Sequence, residues 1–238
     1  EIQQALLPRE CPAIDGLDMA ARSLYCDETG GDYYDFIGND NKQLDAVIGD
    51  VSGHGISSAI LMASVRAFLR QRAHLPGNLS RMMSDVNRQL LNDVEDSGNF
   101  MTLFYLRLDP AQRCLSWIRA GHDPAIFYNP ISDRFNDMHG KGLALGISGQ
   151  AVFEENERTG LIPGQIIVLA TDGVWEACNK EGDMFGKAPL YRIVRQNRNA
   201  VAEDILGKCF QALEEFQTGT VREDDITMMV IKIVDLNS

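Results

Sequence analysis

The 238-residue sequence contains no Cys-x-x-Cys pair, no His-Glu-x-x-His run and no cluster of Cys with His. That argues against a zinc centre, which favours those ligands. Its five cysteines, Cys11, Cys26, Cys114, Cys178 and Cys209, are scattered and odd in number. Such spacing excludes a disulfide framework and predicts reduced core thiols in a cytoplasmic protein. No apolar run approaches the ~18 residues of a membrane span, and no signal-peptide pattern is present. Basic residues are outnumbered, 22 against 34 acidic ones, giving a formal net charge of -12. A surface of that sign repels nucleic acid and anionic membrane, which makes both poor partners and a nuclease a poor reading.

Hydrophobic residues make up 45% of the chain, enough for one large domain with an ample core. Strands are expected at 17–25, around Tyr33–Ile37, at 44–51, 101–108, 114–120, 125–128, 165–171 and 226–234. Helices are expected at 56–73, 79–94, 187–197 and 200–216. In the first of these, Ile56, Ile60, Ala63 and Ala67 form an apolar stripe. In the second, Met82 and Met83 read as core filling. Asn39-Asp40-Asn41 and Asp109-Pro110-Ala111-Gln112 read as hairpin turns. Segment 129–164 is rich in turn formers and is expected to hold turns and short edge strands. Residues 1–8 read as the end of a linker helix stopped by Pro8, with Ile2, Ala5 and Leu6 on one face; residues 9–238 form the domain. The order of strands and helix pairs predicts an α+β fold: a four-layer sandwich of two packed antiparallel β-sheets flanked by α-helices.

The chain is organised around Gly49-Asp50-Val51-Ser52-Gly53-His54-Gly55, where an apolar strand delivers an acid to a glycine-rich turn and a helix start. Asp32, after Gly30-Gly31, Asp172, before Gly173, and Asp224, before Asp225, stand in similar settings. Carboxylates gathered without a cation raise one another's pKa and cost stability. Oxygen donors suit Mg²⁺ or Mn²⁺. Two such cations about 3.5–4 Å apart can generate a hydroxide and hold phosphoryl oxygens. In this reading Asp50 bridges the cations and the Val51 carbonyl adds a ligand. Any single Asp here is more economically a turn or cap residue; four in one context point to chemistry. His54 is the candidate general acid for the leaving oxygen. His122, in Ala120-Gly121-His122-Asp123-Pro124, follows a strand and is expected to brace the site.

A series of segments carries a family resemblance: LLP at 6–8, GGDYYDF at 30–36, DVSGHGISSA at 50–59, MTLFY at 101–105, AGHDP at 120–124, LALG at 143–146, TDGVWEA at 171–177, FG at 185–186 and DDIT at 224–227. In this order they resemble the PP2C-like (PPM) metal-dependent Ser/Thr protein phosphatases, in the bacterial branch typified by SpoIIE and RsbU. The resemblance implies that Asp50, the Val51 carbonyl, Asp172 and Asp224 bind a two-metal core, with a third cation left open. Asp32 or Asp35 supplies the first acidic position, and Asp225 and Gly173 stand beside the ligands. It further implies a phosphorylated STAS-domain protein as substrate, control by an upstream sensor domain, and a role in partner switching; a homodimer and a membrane anchor elsewhere in the protein stay open. Two other classes remain: a catalytically silent docking module, and a GHKL-type kinase, because Asp50–Gly55 superficially resembles an ATP-binding box.

Overall fold

The structure, a computed structural model, describes residues 3–38, 43–94 and 97–235. Each expected strand forms. In β1 (Leu17–Leu24), β2 (Tyr33–Gly38), β3 (Leu44–Val51), β4 (Met101–Asp109) and β5 (Cys114–Ala120) successive side chains point to opposite faces. β6 (Ala125–Asn129), β9 (Ile166–Ala170) and β10 (Ile226–Ile233) are buried almost throughout. The turn-rich segment supplies the edge strands β7 (Arg134–Met138) and β8 (Asn156–Thr159). The expected turn at Asn39-Asp40-Asn41 lies outside the described residues; the strands flanking it, β2 and β3, pair antiparallel from Tyr33↔Gly49 to Gly38↔Leu44.

Two five-stranded sheets result, ordered β1-β10-β9-β6-β7 and β2-β3-β4-β5-β8, with antiparallel pairing throughout. The first sheet sends Val168, Met228 and Val230 toward α3 (Ala188–Gln196) and α4 (Ala202–Phe216), where they join Ile205, Leu206 and Phe210 in one core. Its other face, with Leu169, Met229 and Ile231, joins the core that runs through the second sheet to α1 (Ile56–Ala73) and α2 (Leu79–Val94). The four-layer α+β sandwich is therefore the fold. Met82 and Met83 are buried in the α2 interface. All five cysteines are free. Among the described residues no helix is long and apolar enough to cross a membrane.

The first helix corrects the expected stripe. α1 buries Ser58, Met62, Val65, Leu69 and Ala73, whereas Ile56 and Ile60 are 73% and 62% exposed. The helix carries apolar residues nearly all round, so periodicity alone does not select a face. A tertiary ion pair does: Arg70 donates Nε and Nη2 to Asp35 of β2, both at 2.6 Å, which turns Met62, Val65 and Leu69 onto the sheet. At the N-terminus the described residues hold one 3-10 turn, Gln4–Leu6. Ala5 is exposed there, and Leu7 is the residue that enters the core.

Candidate active site

The site lies at one end of the cleft between the sheets, where β3 stops. Alternation along β3 and β2 decides which acids reach it. Asp45 and Asp35 face the helices: Asp45 binds Arg107 through two 2.7 Å hydrogen bonds and accepts one from Tyr105, while Asp35 binds Arg70 and accepts from the Tyr33 hydroxyl at 2.8 Å. Val47 is the cross-strand partner of Asp35 and Tyr105, so Ile48 and Asp50 point to the opposite face, into the cleft. Asp35, one of the two options for the first acidic position, thus spends its oxygens on anchoring α1. Asp32, fully buried, is the acid that stands beside Asp50.

The remaining acids arrive from the other sheet. Asp172 opens a 3-10 turn directly after β9, and Asp224 lies two residues before β10. Burial raises the Asp50 carboxyl to about 8, helped by the charges of Asp172, Asp224 and Asp225. Burial and then Asp50 hold Asp32 well above the usual carboxylate range. Asp172 is raised by burial and by Asp224; Asp224, at the cleft rim, is raised by partial burial and by Asp225. Among the described residues none of these four acids has a Lys or Arg ion-pair partner.

Asp225 has a different task. Its carboxylate accepts the backbone N–H groups of Cys26 at 2.9 Å, Gly31 at 2.8 Å and Asp32 at 3.4 Å, holding the first acidic loop in place. The glycines there are steric necessities. A Cβ on Gly30 would lie 2.0 Å from the Asp225 carboxylate, and one on Gly31 would lie 2.7 Å from the Val51 carbonyl oxygen and 3.1 Å from Asp50 Oδ1. A Cβ on Gly173 would lie 2.0 Å from the Asp225 carbonyl oxygen. The Val51 carbonyl therefore faces the same narrow space as the Asp50 carboxylate.

His122 is buried, and its Nδ1 shares a 2.8 Å hydrogen bond with Thr102 Oγ1. Thr102 pairs with Asp50 across the β3–β4 ladder and its hydroxyl reaches the Asp50 carbonyl at 3.5 Å. Burial lowers the imidazole to about 4, so it is neutral near pH 7 and braces the strand carrying Asp50. His54 is exposed, on the turn between Gly53 and Gly55, with its ring nitrogen 3.8 Å from Asp27. A cleft of 550 Å³ opens beside the acids, lined by Gly173, Glu176, Asn179, Arg222, Glu223 and Asp224.

Thr171 was not singled out by sequence reasoning. Its hydroxyl donates to Asp32 Oδ2 at 2.9 Å and accepts from the Thr227 N–H at 3.1 Å, tying the acid of one sheet to strands of the other. Its place one residue before an Asp at a strand end is the only signal it carries. Among the described residues no three Asp, Glu, His or Cys side chains meet at metal-ligating distance. The acids instead stand as neighbours that repel one another. Their donor chemistry, carboxylates with one backbone carbonyl, fits a hard divalent cation.

The fold is that of the PP2C-type phosphatase domains. The chain belongs to the SpoIIE family: the family described as stage II sporulation protein E matches residues 40–234. It is 28% identical over 231 residues to the phosphoserine phosphatase RsbU of Bacillus subtilis, covering 97% of this chain and 68% of that protein. It is 28% identical over 259 residues to the protein IcfG of Synechocystis, again over 97% of this chain but only 40% of the relative. Among solved structures, the SiaA-PP2C domain of Pseudomonas aeruginosa superposes with a TM-score of 0.84 at 21% identity, covering 98% of this chain and 93% of that one. The kinase-type alternative has no support in this fold.

Proposed function

We propose that the chain hydrolyses phosphoserine or phosphothreonine on a folded protein, using Asp32, Asp50, Asp172, Asp224 and the Val51 carbonyl to hold two divalent cations, Mg²⁺ or Mn²⁺. The observation that carries this reading is the cluster of mutually repelling carboxylates, drawn from four segments and both sheets, with no cationic side chain paired to them among the described residues. When bound there, such cations supply a hydroxide near neutral pH and neutralise charge developing on the phosphoryl group. The chain's own part is placement. Asp225 and Thr171 fix Asp32, the Thr102–His122 pair fixes the end of β3, and the glycines leave the cleft open at backbone level. His54, exposed at the mouth of that turn, is the candidate to protonate the leaving seryl oxygen.

For the partner we infer a small phosphorylated STAS-domain protein met in the cytoplasm, with an upstream sensor domain governing the activity. RsbU, which is named a phosphoserine phosphatase, supports the substrate class. The net charge of -12 makes nucleic acid and anionic membrane poor partners.

The test is hydrolysis of p-nitrophenyl phosphate, and then of a phosphorylated STAS-domain protein, with Mn²⁺, with Mg²⁺ and with EDTA. Turnover should need a divalent cation, and Asp50→Ala should lower it at least about 100-fold. Turnover that survives in EDTA or in Asp50→Ala would refute the two-metal site. A docking module without chemistry would bind the phosphoprotein yet leave it phosphorylated. His54→Ala should cost about 100-fold if His54 is the general acid; a loss below about tenfold removes that role.

A further inference from the structure

The loop that carries Asp32 is held from two sides. Asp225 holds the Gly31 and Asp32 amides, as described above. The other side is held by Gln3, a residue outside every motif. Its side-chain Nε2 donates to the Gly30 carbonyl at 2.5 Å, and the Gly30 N–H donates to its Oε1 at 3.2 Å. One primary amide thus closes a ring with both polar groups of one residue, as a neighbouring β-strand would. Gln3 is itself fixed: its carbonyl accepts from the Leu6 N–H at 2.9 Å, Leu7 is buried in the core, and the Pro8 carbonyl accepts from the Tyr34 hydroxyl at 3.0 Å.

The place where this amide docks gives it a consequence. Gly30 and Gly31 lie outside any strand or helix, and two successive glycines have the widest backbone freedom the chain offers. Asp225 pins the loop at Cys26 and again from Gly31 onward, and the N–H and carbonyl of Gly30 are held by the Gln3 amide. Without the Gln3 amide, Gly30 loses both of its hydrogen bonds to Gln3. Asp32, two residues further on, lies between this glycine pair and the β2–β3 ladder, which begins at Tyr33↔Gly49.

We infer that Gln3 is a positioning residue for the acidic site: its side-chain amide orders Gly30 and thereby presents Asp32 beside Asp50 to the divalent cation. This rests on the two-metal reading of the site. It also makes the first described residues of the chain part of the catalytic architecture, across a sequence separation of 27.

The experiment compares wild type, Gln3→Ala, Gln3→Glu and the control Gln4→Ala. Gln4 is exposed, and among the described residues its side chain makes no hydrogen bond. Three quantities are measured: Mn²⁺ affinity by electron paramagnetic resonance of the free ion, deuterium exchange at the Gly31 and Asp32 amides, and kcat and KM for p-nitrophenyl phosphate at saturating Mn²⁺. Gln3→Ala should weaken Mn²⁺ binding about tenfold, in the range found when a residue supporting a metal ligand is removed. It should also speed exchange at both amides, with kcat at saturating Mn²⁺ within about twofold of wild type. Gln3→Glu keeps the acceptor for the Gly30 N–H but faces the Gly30 carbonyl with a carboxylate, so it should behave like Gln3→Ala. Gln4→Ala should match wild type. Unchanged exchange in Gln3→Ala overturns the inference. Faster exchange with unchanged Mn²⁺ affinity also overturns it, leaving Gln3 a loop support without bearing on the site. Wild-type protein that binds no Mn²⁺ overturns the two-metal reading itself, and the metal half of this inference with it.

Discussion

Sheet β2-β3-β4-β5-β8 carries buried acids on both faces, and the two faces treat them oppositely. Toward the helices, Asp35 and Asp45 each receive a bidentate arginine and a tyrosine hydroxyl. Toward the cleft, Asp32 and Asp50 receive no cationic side chain among the described residues, and each lies beside further carboxylates. A buried charge is tolerated when it is paired and hydrogen-bonded, as on the helix side. On the cleft side the fold accepts repulsion instead. The lesson is that the same residue type, on opposite faces of one sheet, is paired where the protein supplies the counter-charge and left open to a cation from solvent where it does not.

Removing the internal counter-ion tests the first half of this contrast and should give the largest effect on stability. Asp35→Ala strands Arg70 and Arg66 beneath α1 and leaves the buried Tyr33 hydroxyl without its acceptor. The expected cost is about 3 kcal/mol, read as a lower midpoint in urea denaturation. A cost under about 1 kcal/mol would mean that the helix-side clusters are as dispensable as surface pairs. A similar loss is expected for Asp45→Ala.

His122 gives a pH signature of about the same size. Its folded pKa is near 4 because burial penalises the charged ring, against an ordinary 6.5 in the unfolded chain. The unfolded state therefore takes up the proton first. Stability is full above pH 6.5 and falls as the pH drops toward 4, by about 3 kcal/mol. His122→Asn should flatten that slope. Thermal melts of both proteins between pH 7 and pH 4 that stay parallel would show that the ring is charged or solvated in the folded state, and its bracing of Thr102 would need another explanation.

Much of this arrangement is legible in the sequence, and the illegible parts share a cause. The strands, both helix pairs and the four acidic segments follow from local signals: alternation, periodicity, and glycines around acids at strand ends. The choice between Asp32 and Asp35 is not local. It depends on which face of β2 meets Arg70, a contact across 35 residues. The buried face of α1 went the same way, because Ile56 and Ile60 satisfy helical spacing as well as Met62 and Val65 do. Thr171 and Gln3 act through one and two hydrogen bonds to segments 139 and 27 residues away. Such contacts leave no periodicity to read.

The smallest expected change sharpens the contrast most, because its sign is opposite. Asp50 has a folded pKa of about 8 against 3.8 as the ordinary value, so the folded state holds the proton more tightly. The stability this contributes is fully present below pH 3.8 and is lost as the pH rises through 8. At pH 8, without divalent cation, Asp50→Asn should therefore stabilise the protein, by about 1–3 kcal/mol, where Asp35→Ala destabilises it. Adding Mn²⁺ should reverse the order. Wild type gains stability as the cation binds the folded state, by about 2.7 kcal/mol at a hundredfold excess over Kd, while Asp50→Asn gains little. The measurement is a pair of melting curves for each protein, with EDTA and with Mn²⁺. If Asp50→Asn melts lower than wild type in EDTA, the cleft acids are not in conflict with one another, and the distinction between the two faces of the sheet fails at its functional end.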